Sequence, residues 1–359
     1  MKRLVLLALV AAAVLPGTAV AGTVSYDAGA FSFTAAPGEA NYLTLKTAND
    51  CDGLPAPCLS FTDSPSYPVA APPACVADAF LGIRCPLPTS VVLTLGDGID
   101  WVLDWDGPSV IHGGAGGDVL RGNGGDDVLD GGDGIDVLIG GPGNDQVDGG
   151  AGNDVLESYM SGLGLDGPIG PADTAGADVL RGGPDVDSVD YEARTDPLTL
   201  TLDGRANDGA PNERDDIAND VEIVYGGSAA DTLIGNRGPN VLGGIGGNDL
   251  IRGGAGDDRL DGGPGNDLVQ GGNGADTLFG GGENDILDGG RGRDHIYGEY
   301  VTGCGLTQCV GGADVIYARD GGIDTIDCGA GTDRALLDWA DRLIDTSDCE
   351  RTRYPRRRR

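Results

Sequence analysis

Histidine is nearly missing from this chain of 359 residues, which has two, and aromatic residues make up only 5% of it. His112 and His295 stand alone, no H-E-x-x-H and no G-x-S-x-G elbow occurs, and paired imidazole chemistry therefore has no footing. Basic residues are also few, 23 Lys and Arg against 57 Asp and Glu, for a net charge of −34. A chain so acidic repels nucleic acid and anionic membranes. There is no C-x-x-C pair and no histidine near a cysteine pair, which argues against a metal-thiolate site. These absences lead to the expectation that the protein is not an enzyme.

The start of the chain reads Met1-Lys2-Arg3, an apolar run from Leu4 to Val14, then Ala19-Val20-Ala21. That is the pattern of a secretory signal peptide over 1–21, with a mature chain from about Gly22. The run is shorter than the ~20 residues of a spanning helix, and no later segment is apolar enough for one, so a soluble exported protein is expected. The eight cysteines fit an oxidising compartment, and nearness in the chain pairs Cys51 with Cys58, Cys75 with Cys85, Cys304 with Cys309 and Cys328 with Cys349.

What is abundant is glycine, 66 residues, and its placement is periodic. From Gly113 five nine-residue units run without a gap to Glu157: GGAGGDVLR, GNGGDDVLD, GGDGIDVLI, GGPGNDQVD and GGAGNDVLE. A linker at 158–174 interrupts them, and two degenerate units follow around Asp178 and Asp187. From Gly226 to Tyr297 there are eight more: GGSAADTLI, GNRGPNVLG, GIGGNDLIR, GGAGDDRLD, GGPGNDLVQ, GGNGADTLF, GGGENDILD and GGRGRDHIY. Weaker units continue around Asp314, Asp324 and Asp333. Residues 22–109 are not periodic in glycine; alternating runs such as Phe31-Ser32-Phe33-Thr34 and Val91-Val92-Leu93-Thr94-Leu95 mark strands of a β-rich cap. Residues 191–225 form a non-repetitive insert, whose Leu198-Thr199-Leu200-Thr201-Leu202 and Val221-Glu222-Ile223-Val224 read as a hairpin against the side of the repeats. The boundaries are thus 110–190 for the first array, 191–225 for the insert, 226–336 for the second array and 337–359 for a closing segment with a basic tail.

Glycine holds most first, second and fourth places of a unit, Asp the sixth and an aliphatic residue the eighth. Glycine so placed permits a tight turn, and the last three residues form a short strand. If one coil takes two units, residue i lies over residue i+18 at the ~4.8 Å strand spacing. The aliphatic eighth places then fill a thin core and the aspartates come together in pairs. Spacing by 18 gives three such pairs in the first array and five in the second. Unpaired they would repel; a hard cation between them, held by carboxylate and carbonyl oxygens, removes that cost, and Ca²⁺ suits the arrangement better than Mg²⁺ or Zn²⁺. A disordered acidic tract would not keep an aliphatic residue in step with each aspartate.

These units resemble the RTX (repeats-in-toxin) calcium-binding repeats of secreted proteins. The resemblance implies an all-β fold, a right-handed parallel β-roll, with Ca²⁺ held between turns by Asp118, Asp127, Asp136, Asp145, Asp154, Asp231, Asp249, Asp258, Asp267, Asp276, Asp285 and Asp294 and by backbone carbonyls. Two residues depart from it: Asn240 stands at an aspartate place, and Glu283 at a glycine place where positive φ is strained. Asp267 is expected to serve sites on both sides, and Asp294 to close its array. The functional reading is a calcium-folded extracellular repeat protein with a structural or interaction role; the alternatives are a surface adhesin or spacer with an unidentified protein partner, a passive calcium buffer, and an RTX-type toxin or hydrolase.

Overall fold

The computed structural model describes residues 22–48, 54, 56–63, 71–77, 83–103, 106–156, 176–299, 312–320, 322–338, 340–344 and 349–352. The expected signal peptide, Cys51, Cys304, Cys309, the linker at 158–174 and the arginine tail lie outside them.

The three-residue apolar-centred ends of the units are too short to stand alone as strands, and they are stable only by stacking on their neighbours. Among the described residues all regular elements are strands, arranged in sheets of 8, 16 and 8 strands. The fold is a parallel β-roll. Its 16-stranded sheet is a spine that runs past both arrays, from Val76–Ala77 at one edge to Arg342–Leu343 at the other. Two 8-stranded side sheets cover it in turn, the first ending at Asp216–Ile217 and the second beginning at Thr199–Thr201.

The stacking register is the one the nine-residue period requires. Leu120 lies beside Leu138, Leu129 beside Val147, Leu233 beside Ile251 and Leu260 beside Leu278. All of these eighth-place side chains are fully buried or nearly so. They face one another across the two sheets in single files, which is why the core is thin. Interruptions in the chain do not interrupt the stack: Leu156 lies beside Val189 across the linker, and Ile296 beside Ile326 across a second insertion.

Two expectations are corrected. The insert at 191–225 is not a hairpin packed on the side of the roll. Isolated antiparallel bridges do join Thr199 to Gly209 and Asp208 to Asp215. Its strands, however, pair in parallel with the coils: Leu200 with Leu233, Ile217 with Leu180, and Val224 with Val189 and Leu242. The insert is therefore the place where one side sheet hands over to the other. The roll also begins before Gly113, because Leu93 lies beside Ile111 and Val102 beside Leu120. Residues 95–103, Leu-Gly-Asp-Gly-Ile-Asp-Trp-Val-Leu, are a unit with leucine in place of the first glycine.

Before that unit the chain caps the stack with antiparallel pairs, Thr23–Asp27 on Ala30–Thr34 and Tyr42–Ala48 on Cys58–Asp63. Phe61 packs against Phe31 and Phe33, with ring centroids 5.2 and 5.4 Å away, so the cap has the aromatic bulk that the coils lack. The disulfide Cys75–Cys85 lies in this cap. At the other end Cys328–Cys349 joins the last turns to the closing strand, where Cys349 lies beside Asp333. Both bonds follow the pairing by nearness. Replacing Cys328 and Cys349 with serine should cost about 3 kcal/mol, from a loop of this length released in the unfolded chain. Denaturant unfolding in calcium tests this, and an unchanged midpoint would show that the closing segment adds no constraint.

The second and fourth places of a unit adopt left-handed backbone, as at Gly114 (φ +108°) and Gly116 (φ +144°). Glu283 holds a fourth place at φ +77°, as its sequence position implied, and its side chain is exposed. A side chain in that region costs on the order of 1 kcal/mol relative to glycine. Glu283→Gly should accordingly raise the stability of the calcium-loaded protein by up to about 1 kcal/mol. A lower melting temperature for the variant would contradict the assignment of strain.

Candidate metal centre

The sixth-place aspartates lie where the chain turns into each sheet. Stacking at 18 residues gathers them into columns along the edges of the roll. All twelve named from the sequence are buried, at 3% exposure or less. Within a column each uses one carboxylate oxygen in the same way: Oδ1 accepts the backbone N–H of the residue one coil earlier. Asp118 donates to Asp136 Oδ1 at 2.7 Å and Asp136 to Asp154 at 2.9 Å. Asp249 donates to Asp267 and Asp267 to Asp285, both at 2.8 Å, and Asp276 to Asp294 at 3.0 Å.

The second oxygen is different. In Asp118, Asp127, Asp136, Asp145, Asp154, Asp249, Asp258, Asp267, Asp276, Asp285 and Asp294, Oδ2 is buried and has no hydrogen-bond partner. A buried carboxylate oxygen left in this way costs several kcal/mol unless a cation or a proton meets it. Carbonyl oxygens converge on the same place. At Gly280 an added methyl would lie 2.5 Å from both Asp285 Oδ2 and the carbonyl of Gly298, one coil on. The first-place glycine is thus needed for space, and the second and fourth for both φ and space, since an added methyl at Gly114 or Gly116 would collide with the carbonyl of Gly96 or Gly98. Oxygen donors and a glycine cradle of this kind suit a hard cation such as Ca²⁺ and offer no soft ligand for Zn²⁺.

Two of the predicted residues differ from their expected roles. Asp231 keeps both oxygens engaged, because Leu198 N–H donates to Oδ1 at 2.8 Å and Gly227 N–H to Oδ2 at 2.7 Å. Asp294 does not close a column, since its own N–H donates to Asp324 Oδ1 at 2.9 Å across an insertion. The columns are longer than the gap-free arrays. Asp187, Asp314 and Asp324 are buried in them with Oδ2 unpartnered, and Asp100 is buried at their start. Asp187, Asp314 and Asp324 lie in units the sequence marks only weakly, and the motif Gly-Asp-Gly-Ile-Asp at 96–100 was the available signal for Asp100. Asn240 extends a column without a charge, donating its N–H to Asp258 Oδ1 at 2.8 Å.

Residues 94–129, 106–138, 121–156, 172–193, 225–260, 243–278 and 270–299 match the family described as RTX calcium-binding nonapeptide repeat. The chain carries RTX calcium-binding repeats. No curated protein matches it. The RTX matches begin at residue 94 and so include the early unit found by stacking, and they include Asp178 and Asp187 beyond the linker.

Burial raises the pKa of the RTX aspartates. It pushes Asp118, Asp145, Asp249 and Asp267 up to about 7 and Asp285 to about 8, with the N–H bond from the earlier coil opposing the shift. Asp136, Asp154, Asp258, Asp276 and Asp294 rise to about 6 for the same reason. A carboxyl whose pKa is higher folded than unfolded stabilises the fold fully below the unfolded value of 3.8, and that stability is lost as pH rises through about 6 to 8. In chelator the roll should therefore be more stable at pH 4 than at pH 8. Circular dichroism in chelator at the two pH values tests this; less β-structure at pH 4 than at pH 8 would contradict it.

Proposed function

We propose that this is an exported scaffold whose RTX roll is assembled by calcium, with Ca²⁺ taken between coils by the aspartate columns and by turn carbonyls. The observation that carries the reading is the series of buried Oδ2 atoms with no partner, repeated coil after coil beside a glycine cradle. Metal-free at neutral pH, these columns bring like charges together, and the single-file aliphatic core supplies little apolar burial to oppose them. Calcium replaces that repulsion with shared coordination, so binding and folding are one event and neighbouring coils cooperate. Affinities belong in the ~10⁻⁴–10⁻³ M range of extracellular modules.

Export is supported by the leader pattern at 1–21 and by two disulfides, Cys75–Cys85 and Cys328–Cys349, which suit an oxidising compartment. No helix among the described residues is long and apolar enough to cross a membrane. The role we assign is structural, a calcium-stiffened spacer without catalysis. Its histidines suit that role: His112 pairs with the surface carboxylate of Asp130 at 3.0 Å, and His295 is exposed.

The test is a calcium titration of the mature chain followed by circular dichroism and small-angle scattering, with magnesium at matched ionic strength. The expected outcome is an expanded chain in chelator and a compact β-rich rod in millimolar calcium. Asp267→Asn should raise the calcium midpoint severalfold, because Asp267 has carboxylates on both sides of it. Asp231→Asn should raise it less, because Gly227 already holds its second oxygen. Equal responses to magnesium and calcium would overturn the reading, as would an unchanged radius.

A further inference from the structure

One turn late in the roll carries a carboxylate that the repeat does not require. Glu299 lies beside Gly281 in the stack, so it holds the second place of its unit, where Gly281 is glycine with φ +115°. The glutamate is 5% exposed. Its Oε1 accepts the N–H of Gly312 at 2.9 Å, while Oε2 is buried with no hydrogen-bond partner. Residues 300–311 separate Glu299 from Gly312, whereas the second and fourth places of an ordinary unit are two positions apart.

Two column aspartates stand opposite. Asp314 and Asp333 are consecutive in their column, with Asp314 N–H donating to Asp333 Oδ1 at 3.0 Å. One carboxylate oxygen from each of Glu299, Asp314 and Asp333 lies within 4.8 Å of the others, and all three residues are buried. Asp314 Oδ2, like Glu299 Oε2, has no hydrogen-bond partner. Among the described residues neither Glu299 nor Asp314 forms an ion pair. Room for the glutamate comes from Gly329 in the next coil, where an added methyl would collide with Glu299 Oε2. Three carboxylates enclosed with no basic partner for two of them are sustained only by a bound cation or by protons.

We propose that Glu299, Asp314 and Asp333 form a distinct calcium site, with three carboxylates where an ordinary step of the column has two, and that it binds calcium more tightly than the rest of the roll. The proposal rests on the calcium reading above and extends it to a residue outside the repeat motif. Calcium affinity rises with the number of charged ligands, and that number is greater here. The site ties the turn that carries the second insertion to the coil after it, so those coils hold their metal at concentrations that leave the arrays empty.

The experiment is calcium binding to the full mature chain, measured by competition with a chromophoric chelator. One calcium per chain should bind about tenfold more tightly than the cooperative remainder. Glu299→Gln keeps an oxygen for the Gly312 N–H and removes the charge; it should abolish the tight class while moving the cooperative midpoint less than about twofold. Glu283→Gln, which neutralises an exposed carboxylate, should leave both classes in place. Scattering at saturating calcium checks that Glu299→Gln is folded. If it is not, Glu299→Asp keeps the charge, shortens the reach and should weaken the tight class alone. A tight class that survives in folded Glu299→Gln, one that Glu299→Asp leaves at full affinity, or a parent protein with the cooperative class only, overturns the proposal. A parent that binds no calcium in either class overturns the calcium reading itself.

Discussion

Carboxylates buried beside carboxylates set the terms for this molecule. An aspartate at 3% exposure or less in nearly every coil, with one oxygen held by a neighbouring N–H and the other left open, makes an arrangement that water cannot relieve and the thin core cannot compensate. The glycines, the tight turns and the short strands all follow from the need to bring these groups to one line. A first-place side chain would fill the cradle. A bulkier turn would separate the oxygens. The fold is best understood as a holder for charge whose geometry becomes affordable once a cation is shared between coils.

The spine sheet explains why the chain tolerates so much irregularity. A parallel stack fixes only which residues lie side by side, so extra chain can leave a turn and return without disturbing the next strand. Asp154 and Asp187 are 33 residues apart and Asp178 and Asp215 are 37 apart, yet each pair keeps the contact that other pairs make at 18. At the handover between side sheets the protein uses its own groups. Arg194, 2% exposed, binds Glu213 at 2.6 Å, and Tyr191 donates its hydroxyl to Asp215 at 3.1 Å. Asp208 accepts from Thr201 and Ile217. The seam is thus held by hydrogen bonds of the chain, in contrast to the open oxygens on either side.

The repeat was legible because period and chemistry coincide. An aliphatic residue two places after each aspartate specifies the roll, the 18-residue register and eleven of the aspartates with an open oxygen. The remainder needed contacts that local pattern does not contain. The run Leu198 to Leu202 alternates equally well in a hairpin and in a roll, and only its partner Leu233 decides between them. Asp231 has the same motif as Asp249, but the N–H of Gly227 approaches it and changes what it can bind. The unit at 95–103 was hidden by leucine at its first place and by Ser109 at the sixth place of the unit after it. Glu299 gave one signal, a charged residue directly after Gly298 where glycine is usual, and the insertion behind it concealed which turn it served.

The two ends of the spine are worth considering as ends of a growing row. Each strand of the repeats pairs with its neighbours in parallel register, and a bare edge of that kind is the condition under which separate chains add to one another without limit. The protein finishes its spine with strands of two residues, Val76–Ala77 at one edge and Arg342–Leu343 at the other. At the first edge the pairing has already turned antiparallel, through Cys58–Asp63 and Ile83–Pro86. The first edge thus offers an incoming coil a strand of altered direction, and the second, still parallel, offers only two residues. The cap and the closing segment therefore leave the spine with little edge on which a further coil could stack.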